Sequence, residues 1–262
     1  NCSLMKVIIL AGGFGTRFSE FTEKIPKPMI KIGDKPIIWH VMNIYASFGY
    51  KDFYLALGYK SEEIKNYFLN YNSLNSNFTI NLRTNEVSMI EKSKIDWNVT
   101  LVDTGINTLT GSRLKKMSQF IDNEPFMLTY ADGVSDINID KLLSFHHSHK
   151  KIATMTAVRP SARFGEIELD GDTVAEFNEK PQLHDGWING GFFVMNSEFL
   201  NFIGNENVML EREPLIKAVS KRELMSFKHD GFWQCMDSKR DHEILEKIYS
   251  SGNVPWVKNN NK

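Results

Sequence analysis

Cysteine is nearly absent from this chain. Cys2 and Cys235 are its two examples in 262 residues, and their spacing suits neither a zinc site nor a disulfide framework. A surplus of charge of one sign is missing as well: Lys and Arg number 31 against 32 Asp and Glu, a net charge of -1. Polynucleotide binders usually carry a basic excess, so DNA and RNA are disfavoured as main partners, and phosphate chemistry must rest on locally placed cations. No apolar run reaches membrane-spanning length, and no signal-type apolar segment precedes a small-residue cleavage site. The expectation is a soluble, cytoplasmic protein with no membrane partner. Internal repeats and linkers are lacking too. What is present is core material: 42% hydrophobic residues argue against a disordered chain. Length admits one or two domains, and a single domain over residues 5–257 is expected. Met5-Lys6 reads as a natural start, so residues 1–4 are set aside from the fold, and residues 258–262 read as a frayed tail.

Periodicity predicts alternating strands and helices. Residues 7–10 are a short apolar run ending in glycines, the pattern of a buried parallel strand entering a loop. A helix is expected over 36–48, with Pro36 in its first turn, Ile37, Ile38, Val41, Met42 and Tyr45 at helical spacing, and Gly49 at its end. Residues 53–57 form the next strand. Ser61 then N-caps a helix through Tyr67, with Glu62 and Glu63 in its first turn. Beyond the polar stretch NYNSLNSN and an unassigned segment to Trp97, strands are expected at 99–103, 126–130 and 153–158, and helices at 111–120 and 139–149. From Gly165 the strands alternate, with helices only at 214–219 and 243–249. The predicted class is α/β: a Rossmann-like, doubly wound, mixed but mainly parallel sheet with right-handed crossovers and a smaller C-terminal β-rich part.

The stretch LAGGFGTRFSEFTEKIPKPM, residues 10–29, carries the first chemistry. Glycines after a strand let backbone N–H groups approach an anion. A dinucleotide fingerprint would need a third glycine where Phe18 stands, and a P-loop would need Gly-Lys-Ser/Thr where Gly15-Thr16-Arg17 stands, so both are excluded. Arg17 offers a planar fork for two phosphate oxygens, and Lys27 a compact charge that can follow a moving phosphoryl group. Pro26 and Pro28 fix φ on both sides of Lys27, which lowers the entropy lost in holding it. Lys24 and Lys31 read as ordinary surface lysines.

This stretch resembles the signature of the sugar-phosphate nucleotidylyltransferases, which join a nucleoside monophosphate to a sugar 1-phosphate. The blocks IGDKPIIWHVM, VTLVDTG, TGSRLKK, TYADGVSD, RFGEIEL, NEKP, WINGGFFV, EREPL and GFWQCMDSKRD are similar, in order, to those of the glucose-1-phosphate cytidylyltransferases, across nearly all of residues 5–257. The resemblance implies CTP and α-D-glucose 1-phosphate as substrates, Mg²⁺ as cofactor, and a homo-oligomer, hexamer or smaller. It also implies a role in making deoxysugars for bacterial surface polysaccharide, as in O-antigen and lipopolysaccharide biosynthesis. Nucleotide contacts are expected at Leu10, Ala11, Gly12, Gly13, Phe14, Gly15, Thr16, Arg17, Lys27, Thr108, Arg113 and Ala131. The C-terminal β-rich part would bind the sugar, with Lys180 on its phosphate, Glu179 and Asn189 on hydroxyls, and Gly190 beside them.

The implied reaction is an in-line attack by a sugar-phosphate oxygen on the nucleotide α-phosphorus, with pyrophosphate leaving. A phosphate monoester has a second pKa of about 6, so the nucleophile is already an anion and no general base is required. Catalysis then rests on positioning and charge neutralisation, assigned to Arg17, Lys27 and Asp132. Asp132 and Asp237, from distant segments, are the metal ligands the resemblance implies. Asp132 also follows an apolar strand at its carboxyl end, where α/β folds place ligands. Asp103 and Asp136 are weaker carboxylate candidates, and Asp136 is also read as a cap for the helix from Ile139. Arg113, within SRLKK, reads equally as a solvated helix face. One departure stands out: the family usually has Gly-Asp-Gly where this chain has Ala131-Asp132-Gly133, which leaves acceptor identity open. UTP or dTTP, another phosphorylated acceptor, or a non-catalytic nucleotide-sugar-binding domain remain alternatives. FHHSHK, residues 145–150, is read as a polar helix end and not as a metal site.

Overall fold

Val7, Ile9 and Ala11 pack into one buried apolar layer and Ile8 and Leu10 into another, the two-residue alternation of a strand covered on both faces. Phe53, Leu55 and Leu57 join the first layer while Ala56 joins the second. In the same way Met127 faces one side, and Phe126 and Leu128 the other. The structure, a computed structural model, describes residues 5–91, 93–160, 166–178 and 186–258.

Eight strands build the central sheet: Lys6–Ala11 (β1), Asp52–Leu57 (β2), Asn98–Asp103 (β3), Phe126–Tyr130 (β4), Ala153–Val158 (β5), Ile188–Asn189 (β6), Phe193–Met195 (β7) and Leu224–His229 (β8). β1 pairs in parallel with β2 on one side and β4 on the other, and β2 continues in parallel to β3. β7 is antiparallel to both β4 and β5, while β8 runs parallel to β5. The sheet is therefore mixed and mainly parallel, as the alternation predicted. The chain leaves β1 toward β2 and β3, then returns to place β4 on the opposite side. That reversal is a topological switch point, where open α/β sheets hold ligands beyond the carboxyl ends of their strands.

β6 and β7 are two pieces of one interrupted strand along β5. Asn189 pairs with Ala157 and Met195 with Ala153, both on β5. Between them Gly190 N–H donates to Thr156 O at 2.9 Å and Thr156 N–H to Gly191 O at 3.3 Å. Phe192 sits in the left-handed region at φ 46°, so the chain steps out of the ladder and back. The break carries Asn189 to the carboxyl end of β4.

The expected elements at Phe126–Tyr130, Ile139–His149 and Ala153–Val158 match in full, and the helix expected over 36–48 spans Ile37–Ala46 behind Pro36. Three expectations need correction, and one unassigned stretch takes a definite form. Lys60, at φ 49°, holds the N-cap position before Ser61–Leu69, so Ser61 is the first helical residue. Asn138, not Asp136, caps Ile139–His149: its side chain accepts from Lys141 N–H at 2.9 Å, while Asp136 pairs with His229. The polar NYNSLNSN stretch forms a short helix, Tyr71–Asn75, and the unassigned segment after it is a hairpin of Phe78–Asn81 and Glu86–Met89. The last helix begins earlier than read, at Lys239, because the Ser238 hydroxyl accepts from Asp241 N–H. No helix among the described residues is long and apolar enough to cross a membrane.

Candidate active site

A cleft of 1190 Å³ opens at the carboxyl ends of β1, β3 and β4 and on the β6–β7 break. Its volume exceeds the usual range of about 300–1,000 Å³ for a single small-ligand pocket. Sixteen residues singled out in the sequence line it: Leu10 to Arg17, Lys27, Thr108, Arg113, Ala131, Asp132, Asn189, Gly190 and Asp237. Glu179 and Lys180 lie outside the described residues. Asp103 and Asp136 are not on its wall; Asp103 instead accepts from Gly105 N–H.

The glycine loop is shaped from below. Arg113, at 2% exposure, is buried and not a solvated helix face. Its guanidinium donates to the carbonyls of Gly12 (3.2 Å), Leu57 (2.8 Å) and Gly105 (3.0 Å) and to the Thr104 hydroxyl (2.7 Å). One cation thus ties together the ends of β1, β2 and β3, and a Cβ on Gly12 would lie 2.1 Å from its Nη1. Gly15 turns the loop at φ +63°, and a Cβ there would stand 2.8 Å from Thr22 Cγ2 and 3.2 Å from Lys27 Cβ. No acceptor among the described residues takes the amides of Gly13, Phe14 or Gly15. They form the kind of backbone concavity that receives anions.

Lys27 sits in a short 3₁₀ turn, Lys27–Met29, between buried Pro26 and Pro28. Its ammonium donates to Asp132 Oδ2 at 2.6 Å and to Asp237 Oδ1. Burial lowers its pKa, but the Asp132 and Asp237 carboxylates together outweigh that and leave it above the ordinary lysine value. It is therefore fully charged at neutral pH. Arg17, largely exposed, reaches to 3.4 Å from Asp237 Oδ2.

Backbone pairing is what brings the two carboxylates together. Gly133–Ser135 and Trp233–Cys235 form a two-stranded antiparallel piece in which Cys235 faces Gly133. One step further, Met236 N–H donates to Asp132 O at 2.8 Å, which sets Asp237 beside Asp132. Asp241 then holds the turn, accepting from Asp237 N–H at 3.0 Å and from the Ser238 hydroxyl at 2.8 Å. Two hard oxygen donors around one point of positive charge suit a divalent cation that completes its shell with phosphate oxygens and water. Among the described residues no third Asp, Glu, His or Cys joins them, so substrate would have to supply the remaining ligands.

Ala131 is 4% exposed and belongs to the buried layer shared with Ala11 and Val134. Little of its methyl is left to meet a ligand. His146 is a satisfied core histidine, in hydrogen-bond contact with Thr154 Oγ1 and Asn196 Oδ1, and no metal cluster forms at FHHSHK among the described residues.

Three residues of the cleft, Tyr130, Glu211 and Trp233, escaped the sequence reading. Tyr130, which ends β4, donates to Glu211 Oε1 at 2.6 Å and accepts from Asn189 Nδ2 at 3.2 Å. Glu211 lies within EREPL, a block noticed for its resemblance, but nothing in its spacing shows that it faces a tyrosine 81 residues away. Trp233 also lines the cleft and donates to Gly190 O at 2.9 Å.

The nucleotidyl transferase family matches residues 6–236. A glucose-1-phosphate cytidylyltransferase of Salmonella typhi is 46% identical over 253 residues, covering 96% of this chain and 98% of that protein. A mannose-1-phosphate guanyltransferase of Saccharomyces cerevisiae is 29% identical over 247 residues, 90% of this chain and 62% of that protein. Among solved structures, a UDP-glucose pyrophosphorylase complexed with UDP-glucose superposes with a TM-score of 0.68 at 17% identity, over 95% of this chain and 99% of that one.

Proposed function

This chain belongs to the nucleotidyl transferase family and, within it, to the glucose-1-phosphate cytidylyltransferases, and from that premise we propose that its cleft carries out cytidylyl transfer. The enzyme transfers CMP from CTP to α-D-glucose 1-phosphate, giving CDP-glucose and pyrophosphate. A sugar-phosphate oxygen forms a bond to the α-phosphorus as the bond from that phosphorus to the bridging oxygen breaks. The bonding electrons and the negative charge leave with pyrophosphate.

The observation that carries this reading is the convergence of Lys27, Asp132 and Asp237 at the mouth of a glycine loop with free amides. The amides of Gly13 to Gly15 receive the triphosphate, Lys27 neutralises charge at the reacting phosphate, and Arg17 holds the leaving end. Because Lys27 is held above its ordinary pKa, it serves as a fixed charge and not as a proton donor. Asp132 and Asp237 would hold Mg²⁺, which when bound neutralises phosphate charge and orients the triphosphate. Arg113 acts beneath the loop as a positioning residue. Asn189 and Gly190 line the acceptor wall.

Assembly with further copies of the chain is part of the same reading. Both strands of the hairpin at 78–89 are exposed along their length, and they display Phe78, Ile80, Leu82, Val87 and Met89. Apolar surface of this extent commonly marks an interface.

The deciding experiment is pyrophosphate release with Mg²⁺ and glucose 1-phosphate, run separately with CTP, UTP, dTTP, ATP and GTP. Release with CTP is expected. Release with UTP or dTTP in its place would move the base specificity, and silence with all five across a panel of sugar phosphates would overturn the reading.

A further inference from the structure

Four side chains form a hydrogen-bonded chain across the floor of the cleft. Asn189 donates from Nδ2 to the Tyr130 hydroxyl at 3.2 Å, Tyr130 donates to Glu211 Oε1 at 2.6 Å, and Thr110 donates from Oγ1 to Glu211 Oε2 at 2.7 Å. Thr110 is anchored in turn, since its hydroxyl accepts from Leu210 N–H at 2.9 Å. The chain runs from the acceptor wall at the β6–β7 break to the first turn of Thr110–Lys116, the helix that carries Arg113.

Proton counting fixes the direction of every bond. A carboxylate oxygen accepts, and each Glu211 oxygen is met by a hydroxyl, Tyr130 on Oε1 and Thr110 on Oε2. The single Tyr130 proton therefore goes to Glu211 Oε1, its 2.6 Å acceptor. With its proton committed, the Tyr130 oxygen can only accept from Asn189. Asn189 Nδ2 must face the tyrosine, and Asn189 Oδ1 accepts from Gly191 N–H at 2.9 Å. An amide that could otherwise sit in either of two flipped states is left with one. One N–H of Nδ2 and one lone pair of Oδ1 remain for a ligand.

We propose that Tyr130 and Glu211 are positioning residues for acceptor selection: acting through Asn189, they present a fixed N–H donor that demands a hydroxyl oxygen on the sugar phosphate. The inference rests on the acceptor lying against Asn189, as the proposed function has it. A site that hydrogen-bonds a substrate hydroxyl rejects the analogue lacking it, because its own polar group is then left unpaired. Glu211→Gln would loosen the selection, since a glutamine can donate to the Tyr130 hydroxyl and turn its proton against Asn189 Nδ2–H, which leaves Gly191 N–H alone to hold the amide.

The test measures steady-state constants, and glucose 1-phosphate binding by calorimetry, for wild type, Tyr130→Phe, Asn189→Ala and the double variant. Tyr130→Phe keeps the ring that packs edge-on against Phe193, and a thermal melt checks its fold. The expected result is a sugar-phosphate KM raised about tenfold by Tyr130→Phe, as the loss of one hydrogen bond implies, with the CTP KM and kcat within about twofold. The double variant should be no worse than Asn189→Ala, because a positioning residue has no effect without the group it positions. For Glu211→Gln, discrimination between glucose 1-phosphate and its monodeoxy analogues should fall. An unchanged sugar-phosphate KM in Tyr130→Phe, an equal rise in both KM values, or fully additive effects would each overturn the proposal, as would a wild type that binds no sugar phosphate. Wild type that binds sugar phosphate but turns over no nucleotide would instead count against the proposed function. Calorimetry on the variants would then still decide the positioning role.

Discussion

Lys27 bears the clearest consequence at the scale of one residue. Its ammonium is the cation shared by two carboxylates, held between prolines, so its removal should touch chemistry far more than fold. Lys27→Ala is expected to lower kcat/KM for CTP by about 10²–10³, the usual loss when one charge-stabilising group is deleted, with a melting temperature close to wild type. Near-normal turnover would remove Lys27 from the mechanism. Asp237→Asn should shift the Mg²⁺ titration of activity to higher concentration as well as lowering the rate; an unchanged titration would end its assignment as a ligand. Cys235 should be inert although it lines the cleft. Burial first, and then Asp237 and Asp132, push its thiol up to about 12, so almost no thiolate exists at pH 8. Mass spectrometry of the peptide carrying Cys235 should find it unmodified after native treatment with iodoacetamide and modified after denaturation.

Among the elements, the loop after β1 depends on a helix that follows it by about a hundred residues. Gly12 and Arg113 are packed so closely that an added methyl must displace a guanidinium tied to three strand ends. Overpacking of this kind costs about 1–3 kcal/mol, which for a chain of this size lowers Tm by roughly 2–12 °C. Gly12→Ala should therefore melt early in scanning calorimetry and bind CTP weakly, and an unshifted Tm would show that Arg113 can move freely. Local signals read the elements themselves well. Short apolar runs marked the strands, and Pro36, Gly49 and the first-turn acids marked helix ends. Ser61 misled because Lys60 adopts the left-handed cap geometry instead. Asp136 misled because it is drawn to His229, from β8, at 2.9 Å, which leaves Asn138 to cap. Neither competitor is visible from neighbouring residues.

For the whole molecule, the exposed hairpin makes a prediction about mass. Light scattering should give a multiple of 30.2 kDa. Ile80 and Val87 are directly paired across the hairpin, so replacing them together as Ile80→Lys with Val87→Glu keeps an attractive cross-strand pair while charging the surface. That variant should fall to the single-chain mass; an unchanged mass would take the hairpin out of the contact.

Much of the molecule was written locally. Apolar runs alternating with amphipathic helices imply a mainly parallel sheet covered on both faces, so the fold class follows from the sequence alone. Glycines after an apolar run, and a lysine held between prolines, likewise act through their own backbone, so the glycine loop and the lysine beside it could be read in place. The tertiary structure decided what meets them. Asp132 and Asp237 stand 105 and 210 residues from Lys27 and reach it through strand order and the register of Cys235 on Gly133. Burial of Arg113, the Tyr130–Glu211 bond and the broken strand that delivers Asn189 have the same origin. Periodicity records the face a side chain takes, whereas contact across a hundred residues depends on how the strands are ordered and registered, which no local pattern contains.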